Sequence, residues 1–246
     1  MPPKFLIDYF PDHGSCELTH AVVAIDVIRA TTTAITAVSQ GRRCFPVTSV
    51  EAAHEIAPRL EEPLLVGELG GVKPASFDIN NSPAALDART DTRRPIILLS
   101  SSGTQLFDSL RMHNPVYVAC FRNFGATAGE LKNSHLDVTL LGAGTLGEFR
   151  EEDQMCCAWI ADELTRSGYE PANQSTAVIA RKWRGTTPDA CLAGKSAEFL
   201  TRSNQLQDLQ FILSRVNDLD LVCAYSGGEI SAVRSYSPSA LVDASN

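Results

Sequence analysis

The 246-residue chain carries 29 acidic against 21 basic residues, a net charge of −8, with 44% hydrophobic and 20% charged residues. That is the composition of an ordinary globular protein, long enough for one large domain or two closely joined ones. The acidic balance and the lack of a Lys/Arg run argue against nucleic acid as a partner, no apolar run is long enough to span a membrane, and Asp8, Asp12 and His13 interrupt any signal-peptide core.

In chain order, the first clear element is Ala21–Ile25, a continuous apolar run that reads as a strand buried on both faces. Asp26 follows it, then Arg29, then Thr31, Thr32 and Thr33 opening a predicted helix over 32–40 that Gly41 would end. Asp26 and Arg29 are thus expected where a buried strand turns into a helix, at the carboxyl edge of a sheet, where α/β folds place ligands. A carboxylate there can hold a divalent cation and a guanidinium can grip an anion by two bonds. The plainer alternative is that Asp26 caps the helix and Arg29 pairs with it.

Further strands are predicted at 43–47, 64–66, Ile96–Leu99, Val116–Ala119 and 138–141, and helices at 50–60, 103–112, 126–132 and Glu151–Arg166. This alternation predicts a three-layer α/β/α fold with a largely parallel or mixed sheet and the active site at the carboxyl edge of the strands. After Gly168 come an apolar segment at 177–182, helices near 188–201 and 207–216, and strands near 220–225 and Glu229–Ala232 about the turn Ser226-Gly227-Gly228. No internal repeat stands out. The expected organisation is one domain over 1–246, or two closely packed α/β halves dividing near 125–170, with a loose tail from Ser235. The seven cysteines show no CxxC or metal spacing. Cys120, Cys156, Cys157 and Cys223 fall in apolar runs and read as small core residues, which suits a reduced, cytoplasmic protein.

Polar loops follow several of these strands. Ser100-Ser101-Ser102-Gly103-Thr104 is the clearest phosphate candidate, because hydroxyls and free N–H groups at a helix start suit a phosphate; simple capping by Ser102 or Thr104 is the alternative. Residues 142–147 match GxGxxG, but the acid expected about 20 residues on would fall inside a helix, so a tight turn with exposed amides is the better reading. Asp26, Glu68, Asp78, Glu152 and Asp153 are the candidate ligands for a hard cation; Glu151 more simply complements the helix dipole. The histidines lack HxH or HExxH spacing, which argues against zinc. Arg181-Lys182-Trp183-Arg184 is either a solvated patch or a border of the cleft.

These motifs, in this order, resemble the 2-phosphosulfolactate phosphatase family: AIDVIRATTTAITA with Gly41 after it, VTSVEAAHE, GELGGVKPASFDINNSP, LLSSSGT, CFRNFGA and GAGTLGEFREEDQMCCA, from about residue 22 to 230. The segment 208–220 also looks similar to the family's C-terminal part. The resemblance implies a Mg²⁺-dependent hydrolase releasing phosphate and sulfolactate from (2R)-2-phospho-3-sulfolactate, a reaction that in some organisms leads to coenzyme M. Asp26, Arg29, Lys73, Asp78, Gly103, Thr104, Asn123 and Asp153 match the family pattern. Leu69 stands where Arg is frequent, Ser102 where Asn is common before Gly-Thr, and Asn80 where GFDxGNSP has Gly; the first departure bears on the exact substrate more than on the chemistry. The expected roles are Asp26 and Arg29 in catalysis, Arg29 with Ser101, Ser102, Gly103, Thr104 and Asn123 on the phosphoryl oxygens, Lys73 on the sulfonate or carboxylate, and Asp26, Glu68, Asp78 and Asp153 on Mg²⁺. Asp26 could be metal ligand or nucleophile. Haloacid-dehalogenase-type phosphatases carry a second Asp two residues after their nucleophile, and here that position is Ile28, which favours the ligand role and attack by water. A phosphatase for another small phosphorylated acid and a non-catalytic binder of an anionic metabolite are the rival readings. A homodimer is the base-rate expectation for the assembly.

Overall fold

The computed structural model describes residues 2–11, 20–135, 137–145 and 147–233; the expected loose tail from Ser235 lies outside them. Ten strands are described: β1 (Lys4–Tyr9), β2 (Ala21–Ile25), β3 (Cys44–Val47), β4 (Leu64–Gly67), β5 (Ile96–Leu99), β6 (Val116–Ala119), β7 (Asp137–Gly142), β8 (Glu170–Pro171), β9 (Cys223–Ser226) and β10 (Glu229–Ala232). The helices are α1 (Ala30–Ser39), α2 (Val50–Ile56), α3 (Pro83–Asp87), α4 (Gly103–Ser109), α5 (Phe124–Ser134), α6 (Glu151–Arg166), α7 (Gln174–Trp183), α8 (Lys195–Arg202) and α9 (Leu206–Ser214).

The alternation of β2 explains the layers. Val22 and Ala24 point to a core shared with Ala34, Ile35 and Val38 of α1 and Leu106 and Phe107 of α4. Ala21, Val23 and Ile25 point the other way, onto Leu131 of α5, Met155, Trp159 and Ile160 of α6 and Trp183 of α7. A third cluster joins Val47, Ile97 and Leu99 to Ala53 of α2. Helices thus cover both faces of the sheet, and its central strands are apolar throughout because neither face meets water. Full burial of each large side chain, such as Leu98, contributes about 1.5–3 kcal/mol.

The sheet runs in the order β4-β5-β3-β10-β9-β6-β2-β7-β1-β8. One block, β4-β5-β3, is parallel within itself. So is the other, β6-β2-β7-β1-β8. The β9–β10 hairpin separates them through three successive antiparallel pairings. A flat sheet would therefore place the carboxyl ends of the two blocks on opposite edges. Asp26 after β2 nevertheless lines the same cavity as Glu68 after β4 and Ser100 after β5. The sheet must turn strongly between the blocks, in the sense that strand twist accumulates. Helix α1 lies along this turn, against β3, β5, β6 and β10.

Several elements differ from the sequence reading. β1 was not expected; its Phe5, Leu6 and Ile7 are buried beside β7. The helix predicted over 50–60 ends at Ile56 and tightens into a 3₁₀ turn, Ala57–Arg59, at Pro58. The helix predicted over 188–201 divides at extended Gly194 into the 3₁₀ turn Pro188–Ala193 and α8. The segment 177–182 belongs to α7, whose start is fixed by Asn173 Oδ1 accepting from Thr176 N. The six described cysteines are free and buried. No helix among the described residues is long and apolar enough to cross a membrane.

Candidate active site

Asp26 is held by the turn that joins β2 to α1. Its backbone N–H donates to Thr31 Oγ1 (3.0 Å), that hydroxyl donates back to the Asp26 carbonyl (2.8 Å), and Asp26 Oδ1 accepts from Ala30 N (3.2 Å). The threonines are therefore the turn's internal fastening, with Thr32 Oγ1 donating to Val27 O (2.7 Å). Gly103 packs directly on this turn: a Cβ there would lie 2.3 Å from Asp26 Oδ2 and 2.4 Å from Ala30 Cβ. Asp26 is buried, and its carboxyl is pushed up to about 6 by burial, opposed by the Ala30 N–H and reinforced by the charge of Glu68.

Arg29 pairs not with Asp26 but with α9. Its Nη1 donates to Asp208 Oδ2 (2.7 Å) and Gln205 Oε1 (2.5 Å). Asp208 also accepts from Ser82 Oγ (2.6 Å) and Ala84 N (3.2 Å), and Gln205 Oε1 accepts from Asn80 Nδ2 (3.1 Å). Among the described residues only Nη1 of Arg29 is bonded to protein, and Arg29 lines the cavity, so Nε and Nη2 are left for a ligand.

The loops after β4 and β5 fasten each other. Glu68 Oε1 accepts from Ser101 N (2.8 Å), while Oε2 accepts from Ser101 Oγ (3.0 Å) and Gly71 N (2.6 Å). Thr104 Oγ1 closes the serine loop by accepting from Ser100 N (3.0 Å) and donating to Ser100 O (2.6 Å). Ser102 stands at the cap position of α4 but its side chain makes no capping bond, and it faces the cavity with Ser100 and Ser101.

Two further acids at the start of α6 crowd Asp26. Asp153 Oδ1 accepts from Val27 N (2.8 Å), within the same turn. Its carboxyl is raised well above the usual range by burial and by the charges of Glu152 and Asp26. Glu152 is pushed up to about 7 by burial, with the Ser196 side chain opposing, and its Oε2 is buried without a hydrogen-bond partner. No three of the described Asp, Glu, His or Cys side chains form a ready-made metal cage.

The cavity that Asp26, Arg29, Glu68 and the serine loop line has a volume of about 510 Å³. Phe10, Ile28, Phe199 and Leu200 give it apolar walls, and Arg150, Lys195 and Ser196 bring polar groups that sequence reasoning missed. Arg150 stands inside the GAGTLGEFREEDQMCCA motif, directly before the acidic first turn of α6, so a signal was present. Asp208 and Gln205 had no local signal, because their partner Arg29 is 179 and 176 residues away.

Six expected site residues do not line the cavity: Lys73, Asp78 and Asn123, and also Asp153, Gly103 and Thr104. Lys73 donates to the carbonyls of Phe77 and Pro74. Asp78 Oδ2 accepts from Leu65 N (2.8 Å), tying its loop to β4. Asn123 is fully buried, its Oδ1 accepting from Cys120 N (3.0 Å) and its Nδ2 donating to the carbonyls of Val118 and Leu221. Gly103 and Thr104 act from behind the wall, as described. Within 142–147, Gly144 lets the chain pass Phe10, whose carbonyl would lie 2.1 Å from a Cβ there, and the helix starts only at Glu151. The 181–184 cluster also lies off the wall: Arg184 pairs with Asp162, and Lys182 lies over the Trp183 ring.

A family model described as 2-phosphosulpholactate phosphatase matches residues 10–228. A protein of Clostridium perfringens named probable 2-phosphosulfolactate phosphatase is 30% identical over 220 residues, 87% of this chain and 89% of that protein. One of Carboxydothermus hydrogenoformans with the same name is 31% identical over 201 residues, 81% of this chain and 80% of its own length. A relative of that name from Pseudothermotoga lettingae is 36% identical over 146 residues, 59% of this chain but 62% of its own length, less than two thirds.

Proposed function

Because the chain belongs to the 2-phosphosulpholactate phosphatase family, we propose that it hydrolyses (2R)-2-phospho-3-sulfolactate to (2R)-3-sulfolactate and phosphate, with Mg²⁺ as cofactor, in the cavity around Asp26 and Arg29. The observation that carries this reading is the buried Arg29, with Nε and Nη2 unbonded among the described residues, in one cavity with Ser100, Ser101, Ser102 and Asp26.

The donor set fits the cation. Asp26, Glu152 and Asp153 are all buried, burial raises all three, the Asp26 charge adds to it at Glu152 and Asp153 and the Glu68 charge at Asp26, and Glu152 Oε2 lacks a partner. Such a group lacks positive charge, and Mg²⁺ asks for only one or two carboxylates beside water and substrate oxygens. Asp26 and Asp153, with Glu152 beside them, would hold it, and Glu68 stands on the same cavity wall as Asp26. Bound there, Mg²⁺ would neutralise charge on the phosphoryl oxygens and lower the pKa of a bound water.

The chain's own residues supply the rest. Arg29 would bind two phosphoryl oxygens through its planar fork, and the Ser100 and Ser102 hydroxyls would orient the group for in-line attack, Ser101 giving both its donors to Glu68. Water attacks phosphorus, the ester P–O bond breaks, and the sulfolactate oxygen leaves with a proton. Ile28 lines the cavity two residues after Asp26, which leaves an apolar wall where the second acid of an aspartyl-phosphate mechanism would stand. The buried free cysteines suit work in a reducing cytoplasm.

The test is phosphate release from 2-phosphosulfolactate by EDTA-stripped protein with and without added Mg²⁺. Turnover is expected only with the metal. Full turnover without it would remove Mg²⁺ from the mechanism, and no release from any phosphomonoester would leave a non-catalytic binder.

A further inference from the structure

The phosphate end of the substrate is accounted for by Arg29 and the serine loop. Lys73, the cation expected to meet a second anion, is turned to the Phe77 and Pro74 carbonyls and is not on the cavity wall. The wall holds two other cations. Arg150 is 8% exposed, and among the described residues only its Nη1 is bonded, to Glu148 Oε2 (2.7 Å). Its Nε is buried with no partner, and no bond holds Nη2 among the described residues. Lys195 Nζ reaches the same Glu148 carboxylate (2.5 and 2.6 Å). Two cations thus share the Glu148 carboxylate. A guanidinium taken from water with most of its donors unbonded has given up hydration without full replacement.

We propose that Arg150 and Lys195 form a second anion-binding subsite, which takes the sulfonate or carboxylate end of the substrate while the phosphate lies at Arg29. Both groups offer oxygens to a guanidinium edge. The apolar Phe10, Phe199 and Leu200 around them lower the local dielectric and strengthen the pairing. Glu148, about half exposed on its side chain, holds the two cations in place from the solvent side. This inference deepens the phosphatase reading and rests on it for the identity of the ligand.

The test measures dissociation constants for 3-sulfolactate, lactate, isethionate (2-hydroxyethanesulfonate) and inorganic phosphate, none of which is hydrolysed. The wild type is compared with Arg150→Met and Lys195→Met, with melting temperatures alongside. A charge-assisted bond of this kind is worth roughly 10- to 10²-fold in affinity. Arg150→Met should weaken 3-sulfolactate by that factor and inorganic phosphate at least tenfold less. A parallel loss on lactate would assign the subsite to the carboxylate, one on isethionate to the sulfonate, and either supports the proposal. Lys195, largely exposed, keeps the test decisive if Arg150→Met melts early. Equal weakening of phosphate and sulfolactate, no weakening of sulfolactate in either variant, or a wild type that does not bind sulfolactate would overturn it. A wild type that binds sulfolactate through Arg150 but releases no phosphate from 2-phosphosulfolactate would overturn the phosphatase reading alone.

Discussion

Asp26 shows how one residue can be both part of the fold and available for chemistry. One carboxylate oxygen accepts from Ala30 N at the start of α1, so the capping role is real, yet the side chain also lines the cavity. Burial pushes Asp26 up to about 6 and Glu152 up to about 7, from ordinary values of 3.8 and 4.5. Groups raised on folding contribute stability that is present in full below their unfolded pKa and is lost as pH rises through the folded pKa. Metal-free protein should therefore melt several degrees lower at about pH 8 than at about pH 5. Mg²⁺, binding the deprotonated set, should raise the melting temperature more at the higher pH. Scanning calorimetry across that range, with EDTA or with Mg²⁺, checks this. A response to Mg²⁺ that does not change with pH would mean these carboxyls do not hold it.

At the scale of elements, α9 matters because it fixes Arg29 from a distance. Asp208 receives bonds from Arg29, from Ser82 and from Ala84 at the start of α3, so one carboxylate ties α9, α3 and the site together. Asp208→Asn keeps the shape and removes the charge. Breaking a buried pair costs about 3–5 kcal/mol because the remaining charge is left uncompensated. A lower melting temperature is expected, together with a fall in kcat of roughly 10- to 10²-fold at saturating substrate, by analogy with other losses of a transition-state contact. Asp208→Glu should recover part of the kcat. Full kcat in Asp208→Asn would show that Arg29 keeps its position without α9. None of this was legible locally. The motifs after β2 and β5 name Arg29 and the serines, because strand, turn and helix start lie within a few residues of one another. The partners of Arg29 come from a helix 176 and 179 residues on, and periodicity says nothing of such contacts. Lys73 illustrates the converse: its place in a polar, glycine-rich loop suggested a ligand contact, but the loop folds its ammonium back onto its own carbonyls.

Over the whole molecule, the parallel blocks were readable from alternating apolar runs and helical segments, and so was the pairing of the last two strands about Ser226-Gly227-Gly228. The insertion of that hairpin between β3 and β6 was not, since strand order is set by long-range pairing. Yet the insertion governs the site. It reverses one block against the other, and only a strongly turned sheet then brings Asp26, Glu68 and Ser100 to one cavity. β1 was missed because Asp8 and Tyr9 end its short apolar run, though Phe5, Leu6 and Ile7 are buried. The most direct measurement is the rate of phosphate release from 2-phosphosulfolactate in Mg²⁺ by wild type and by Asp26→Asn, with both melting curves recorded. Turnover in the wild type and its loss in a variant that, in EDTA, melts no lower than the wild type are expected; equal rates in the two proteins would contradict the placing of catalysis at this turn.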